Sequence, residues 1–64
     1  MNVTVNVDTS NGVANITVAD PSTGHFVLAN GLKLGSTAHM TVHQADTHAR
    51  GIARQALQAA AAAI

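Results

Sequence analysis

Cysteine is absent from the chain, and charged and aromatic residues are scarce. Without cysteine, neither a disulfide framework nor a cysteine-ligated zinc site can form. Three basic residues are too few to neutralise many phosphates, so the composition argues against a nucleic-acid binder. Disorder requires low hydrophobicity and high net charge, whereas this chain is 47% hydrophobic with a formal net charge of zero. A small folded domain is therefore expected, and nucleic acid is not expected as its partner.

The chain is short as well as poorly charged. A domain of 64 residues buries only about 60% of its unfolded surface, and small scaffolds often depend on disulfides, metals or oligomerisation. Only 9% of the residues are charged, against about 25% in a typical globular domain, and a net charge near zero promotes association. We therefore expect a homo-oligomer, with a dimer favoured, or a complex with a protein partner.

No long apolar run is present. The longest, residues 59–64, is too short to span a bilayer. The first residues show neither the basic region nor the apolar region of a signal peptide. The sequence therefore predicts a cytoplasmic protein without a membrane partner, and a virion component fits the same observations.

Valines alternate with polar residues from Asn2 to Asp8, which is the period-two pattern of a half-buried strand. Asn11-Gly12 follows and is a strong signal for a two-residue hairpin turn. A turn at that pair places Val7 opposite Ile16 and keeps the apolar residues of both strands on one face. The sequence therefore predicts an antiparallel hairpin at the start of the chain.

Asn30-Gly31 marks a second predicted hairpin. The run before it, residues 25–29, is apolar on both faces, and Phe26 and Leu28 share one of them. A strand that is apolar on both faces is usually buried on both. Because one helix covers only one face of a sheet, the Phe26/Leu28 face is predicted to meet another chain.

A further strand is predicted over residues 37–43, where apolar and polar residues alternate. From Asp46 the period becomes that of an amphipathic helix, with Asp46 or Thr47 as the N-cap. The apolar face of this helix is also predicted to contribute to an interface. Its candidate interface residues are Ile52, Ala56, Leu57 and Ala60.

The predicted fold class is α+β, in a single domain of residues 1–64. Residues 1–43 are expected to form an antiparallel β-meander of four or five strands, with hairpins at Asn11-Gly12 and Asn30-Gly31. Residues 45–64 are expected to form one C-terminal helix packed on that sheet.

The histidines raise the question of a metal site. In the predicted strand His39 and His43 share a face but lie about 13 Å apart at ~3.3 Å per residue, which makes it awkward for both to bind one zinc ion. His43 and His48 flank the predicted junction of strand and helix and could approach each other. The sequence therefore predicts no metal and no other cofactor, and the histidines fit polar positions on an open sheet face.

No catalytic constellation is indicated. The serines fall in predicted turns and the three aspartates are scattered along the chain, where turns and helix caps account for them. A nucleic-acid site would have to use Lys33, Arg50 and Arg54, and the chain offers one phenylalanine for base stacking. The sequence therefore predicts a protein that is not an enzyme.

The favoured function is a protein-protein interaction or assembly role, as a homo-oligomer or as a component of a larger particle, such as a viral one. One alternative is a small regulator or inhibitor that docks on one protein target through its open sheet face or an edge strand. The other is a dimeric nucleic-acid binder that uses the helix arginines.

Overall fold

The computed structural model describes the whole chain, Met1–Ile64, as one antiparallel sheet and one helix. In chain order the elements are β1 (Asn2–Asp8), β2 (Val13–Ala19), β3 (Phe26–Lys33) and α1 (Val42–Ala63). The strand order β1-β2-β3 is that of a meander. The α+β class and the C-terminal helix are confirmed, with three strands in place of the predicted four or five.

β1 and β2 form the first predicted hairpin, but the loop is longer than predicted. Val7 pairs with Ala14, two residues from its predicted partner Ile16, and the loop spans residues 9–12. A shift of two residues preserves the alternation of a strand, so the valines keep the predicted face.

The carboxylate of Asp8 stabilises this loop. Its Oδ1 accepts hydrogen bonds from the backbone N–H of Ser10 at 3.1 Å and of Asn11 at 3.2 Å, and from the Ser10 hydroxyl at 2.6 Å. An aspartate that binds the backbone two residues ahead creates a turn of its own. The predicted two-residue turn at Asn11-Gly12 is therefore wrong, because the loop begins one residue after Asp8.

Asn30-Gly31 lies inside β3 and is not a hairpin turn. The two residues together face Asn15 of β2, which is the two-against-one arrangement of a β-bulge. Gly31 has a φ of +67°, and its N–H donates to Asn15 Oδ1 at 2.8 Å. The predicted second hairpin is wrong, because a left-handed glycine serves a bulge as well as a turn.

The predicted strand over residues 37–43 is also wrong. Residues 34–41 form an irregular connection, and α1 begins at Val42. The connection is fixed to the first hairpin by the buried Thr37, whose hydroxyl donates to the Thr9 carbonyl at 2.7 Å.

Thr41 is the N-cap of α1, in place of the predicted Asp46 or Thr47. Its hydroxyl accepts from the Gln44 N–H at 3.1 Å, and its own N–H donates to Gln44 Oε1 at 2.9 Å. This reciprocal capping box satisfies N–H groups that a helix start otherwise leaves unbonded. It accounts for a helix that begins earlier than the apolar period alone predicts.

α1 packs on one face of the sheet through small residues. Ala45, Ala49 and Ala53 are buried, so the helix backbone lies close to the strands. On the sheet the deepest residues belong to the central strand β2, with Ala14 1% and Ile16 3% exposed, and the helix also contacts both outer strands. The core cluster consists of Ala14, Ile16, Ala29, Leu32, Leu34, Ala49 and Ala53.

The last turns of α1 extend beyond this core, since residues 58–64 are all exposed. At 22 residues the helix is about 33 Å long, whereas β3 with its 8 residues is about 26 Å long. No helix of the structure combines the length and the apolar character needed to cross a membrane. The molecule is a flat slab with principal extents of 38 × 24 × 15 Å.

Candidate interaction surfaces

The sheet face turned away from α1 is uncovered, and we name it the open face. Strand alternation places Phe26 and Leu28 there, because Ala29 points to the helix and belongs to the core. Phe26 is 64% exposed and Leu28 is 53% exposed. Strand pairing also assigns to the open face Asn2, Thr4, Asn6, Asp8, Val13, Asn15, Thr17, Ala19 and Lys33.

Apolar and charged side chains lie at opposite ends of the open face. Phe26 and Leu28 are paired with Ala19 and Thr17 of the central strand. The two charged residues of the face, Asp8 and Lys33, are both paired with Val13 at the other end of the sheet. The strand residues of the apolar end are therefore uncharged, and the nearest carboxylate, Asp20, lies just beyond the strands beside Phe26.

A second apolar surface lies on the helix side, between the exposed end of α1 and the sheet. It is an open groove of about 340 Å³. Val27 in the groove is 49% exposed, and Ile64 at the helix end is fully exposed. The lining residues are Val18, Val27, Leu57, Ala60, Ala61 and Ile64.

The six predicted interface residues do not share one surface. The two from β3 lie on the open face, whereas Leu57 and Ala60 line the groove on the helix side. Ile52 is half-buried and packs against the chain's own core, and Ala56 is exposed. Sequence reasoning missed Val27 and Ile64 as groove residues, and the signal that could have found them is a helix longer than the strands beneath it.

The three cations do not form one patch. Lys33 lies on the open face, whereas Arg50 and Arg54 belong to the helix layer and line a cavity there. Arg50 Nε donates to Asp46 Oδ2 at 2.8 Å, so its charge is balanced one helical turn away. A continuous basic track, which a phosphate backbone requires, is not formed.

Three of the four histidines, His39, His43 and His48, lie in or just before α1, so His39 and His43 are not on a sheet face as predicted. His25 immediately precedes β3. His39 and His43 are exposed, and His43 is in the first turn of α1. His48 is half-buried, and its Nε2 donates to the Leu34 carbonyl at 2.9 Å, which ties α1 to the end of the sheet. No group of three or more His, Asp or Glu side chains is placed to hold a metal ion.

All three carboxylates have structural partners. The Ser10 hydroxyl, with further donors in the same loop, lowers the pKa of Asp8. The Ser22 hydroxyl, which donates to Asp20 at 2.6 Å, likewise lowers the pKa of Asp20. The third carboxylate forms the ion pair with Arg50. Each aspartate therefore stabilises a turn or the helix.

No protein-family model, curated protein or solved structure gives a significant match to the chain. The function therefore has to follow from these surfaces and their chemistry.

Proposed function

We propose that the chain is a non-enzymatic assembly subunit whose open face binds a second copy of itself, as a homo-oligomer or within a larger particle. The observation that supports this most directly is the exposure of Phe26 and Leu28 on a sheet face that the only helix leaves uncovered. A two-layer domain buries one face of its sheet with its own helix. The other face must be polar or be covered by a partner. The end of the open face that Phe26 and Leu28 occupy is apolar, so it is the part that calls for a partner.

The total exposed surface supports the same proposal. The chain exposes 4523 Å², whereas a monomer of its 6.5 kDa mass is expected to expose about 3,800 Å². The excess of roughly 700 Å² is close to the ~800 Å² that each partner buries in a standard interface. An interface of ordinary size would therefore bring the exposed surface to the level typical of the mass.

A second copy suits the open face because the contact can be symmetric. In a two-fold dimer the same patch meets itself, so an apolar end meets an apolar end. Two sheets packed face to face lie about 10 Å apart and interdigitate their side chains. Phe26 and Leu28 would then fill a shared second core, and Asp8 and Lys33 would stay at the rim.

A structural role also agrees with how the polar groups are used. The aspartates stabilise turns and the helix through hydrogen bonds and an ion pair. A general acid or base works best with a pKa near neutral pH, whereas the shifts at Asp8 and Asp20 are downward. These features support an assembly subunit over an enzyme.

The test compares the mass of the wild type with that of Phe26→Asp by sedimentation equilibrium over a range of concentrations. The wild type should sediment as an oligomer, and Phe26→Asp should lower its mass by placing a charge in the open-face contact. Val42→Asp is the matched control, because Val42 is 82% exposed but lies at the start of α1. It should leave the mass unchanged.

A wild type that is monomeric at every concentration would overturn the proposal. So would a folded Phe26→Asp variant whose mass equals that of the wild type. Circular dichroism checks that each variant is folded. A stable wild-type monomer that loses binding to another protein when Phe26 is replaced would favour the regulator that docks on one target.

A further inference from the structure

The two edges of the sheet are built differently. At the β3 edge, the bulge at Asn30-Gly31 interrupts the ladder, and Lys33 ends the strand. Bulges and lysines are the devices by which proteins keep an edge strand from pairing with another chain. The β3 edge is therefore protected.

The β1 edge has none of these devices. Its seven residues contain no proline and no lysine, and they pair with β2 without a register shift. The alternating valine, threonine and asparagine residues include the β-branched types that favour strands. On the helix side of this strand Val3 is 46% exposed, and Val5 and Val7 are only half-buried. A regular edge with partly covered valines is a template for one more strand.

The sequence of β1 is also complementary to itself. Val5 is the midpoint of Asn2–Asp8, so an antiparallel pair centred on Val5 engages all seven residues. In that register Val3 faces Val7 of the second copy, and Thr4 faces Asn6 of the second copy. Odd-numbered residues face odd-numbered residues of the second copy, and even-numbered residues face even-numbered ones. Because odd-numbered residues of β1 point toward α1, both helices lie on the same side of the joined sheet. The longest register is therefore also one that matches apolar with apolar and polar with polar.

We propose that the β1 edge is a second self-association surface, at which the β1 strands of two copies pair antiparallel about Val5. Two three-stranded sheets thereby become one six-stranded sheet. α1 packs on one face of the sheet and β1 is an outer strand that pairs only with β2, so its other edge is free to receive a second strand. The contact is separate from the open face, so each copy would have two different partners. Two distinct self-complementary contacts generate either a closed assembly or a growing one.

The edge contact is tested in the Phe26→Asp background, in which the open-face contact is removed. There the protein should sediment as a dimer. Thr4→Lys with Asn6→Lys places like charges opposite each other across the two-fold axis, whereas Thr4→Lys with Asn6→Glu places opposite charges there. The dissociation constant should be higher for the first variant by at least about tenfold. Both variants substitute the same exposed positions, so they are matched controls.

Cysteine scanning tests the register in the same background, because the chain has no cysteine of its own. Val5→Cys lies on the axis and should form a disulfide-linked dimer under mild oxidation, since directly opposed Cα atoms of an antiparallel pair are about 4.5–5.5 Å apart, within the range that a disulfide spans. Val3→Cys alone should not cross-link, but a mixture of Val3→Cys and Val7→Cys chains should.

The outcomes separate this proposal from the open-face contact. A Phe26→Asp protein that is wholly monomeric, with a wild type that is dimeric, would overturn the edge contact and leave the open-face contact standing. Equal dissociation constants for the two charge variants, or efficient cross-linking at position 3 alone, would overturn the Val5-centred pairing.

Discussion

The Gly31 N–H donates a hydrogen bond to the side-chain Oδ1 of Asn15 at 2.8 Å, from β3 to the central strand. A bulge leaves one residue outside the regular ladder, and here a side chain supplies the missing acceptor. The bond therefore holds the irregularity that protects the β3 edge.

Asn15→Ala should lower the free energy of unfolding by about 1 kcal/mol, because the bulge loses this hydrogen bond. Urea denaturation measures the change. Asn6→Ala is the control, since Asn6 is exposed and directly opposite Asn15 on β1. A loss at Asn6 as large as that at Asn15 would show that the bulge does not depend on the bond.

The same bond explains why part of the topology could not be predicted. Asn-Gly indicates a backbone position with positive φ, and both Asn-Gly pairs have one, at Gly12 and at Gly31. Whether such a position forms a hairpin turn or a bulge depends on a hydrogen-bonding residue far away along the chain. Asn15 lies 16 residues from Gly31, and no local pattern shows that contact.

Gly12 and Gly24 both have positive φ, at +63° and +76°, but their surroundings differ. A Cβ on Gly12 would lie 2.7 Å from the Gly35 carbonyl oxygen, whereas nothing lies within 4 Å of one on Gly24. Gly24→Ala should cost about 1–2 kcal/mol for the left-handed backbone alone. Gly12→Ala should cost more, because the hairpin loop and the connection after β3 must also separate.

Urea denaturation of both variants separates backbone strain from the steric clash. Equal losses of stability would mean that the loop moves away from Gly35 at no cost. That result would contradict a close fit between the first hairpin and the connection.

Thr41→Ala should lower the free energy of unfolding by about 1 kcal/mol, because it removes the hydroxyl that caps α1. Amide exchange should become faster in the first turn of the helix. Thr47→Ala is the control, since Thr47 is an exposed position within the helix where alanine is at least as favourable. A larger loss of stability for Thr47→Ala than for Thr41→Ala would place the helix start near Asp46 instead.

The start of α1 could have been found from the sequence, because Thr41 and Gln44 have the spacing of a capping box. The alternation of residues 37–43 was misleading, since Ala38 and Val42 are both exposed. On the open face the period-two pattern was sufficient to place Phe26 and Leu28. The groove was missed because it depends on how far α1 extends past the strands beneath it.

Acid should destabilise the protein through the Asp8 loop. The pKa of Asp8 is lower in the folded chain than its ordinary value. Its contribution is therefore present above the unfolded pKa and is lost as the pH falls through the folded pKa, from roughly pH 4 downward. Unfolding free energies measured at about pH 6 and about pH 2.5 should show a smaller difference for Asp8→Asn than for the wild type.

Ser10→Ala provides the matched control for this loop. It removes the hydroxyl that binds Asp8 at 2.6 Å and leaves the carboxylate in place. The pKa of Asp8, followed by NMR titration, should rise toward its ordinary value. An unchanged pKa would assign the shift to the other loop donors.

Ala49→Leu should lower the free energy of unfolding by about 1–3 kcal/mol, because the larger side chain pushes α1 away from the strands. Ala49 has no exposed surface. Ala59→Leu makes the same substitution on the exposed part of the helix, and its effect should lie within about 0.5 kcal/mol of zero. Urea denaturation compares the two. Equal effects would mean that the interface between helix and sheet can expand freely, so that alanine is not required for the close approach.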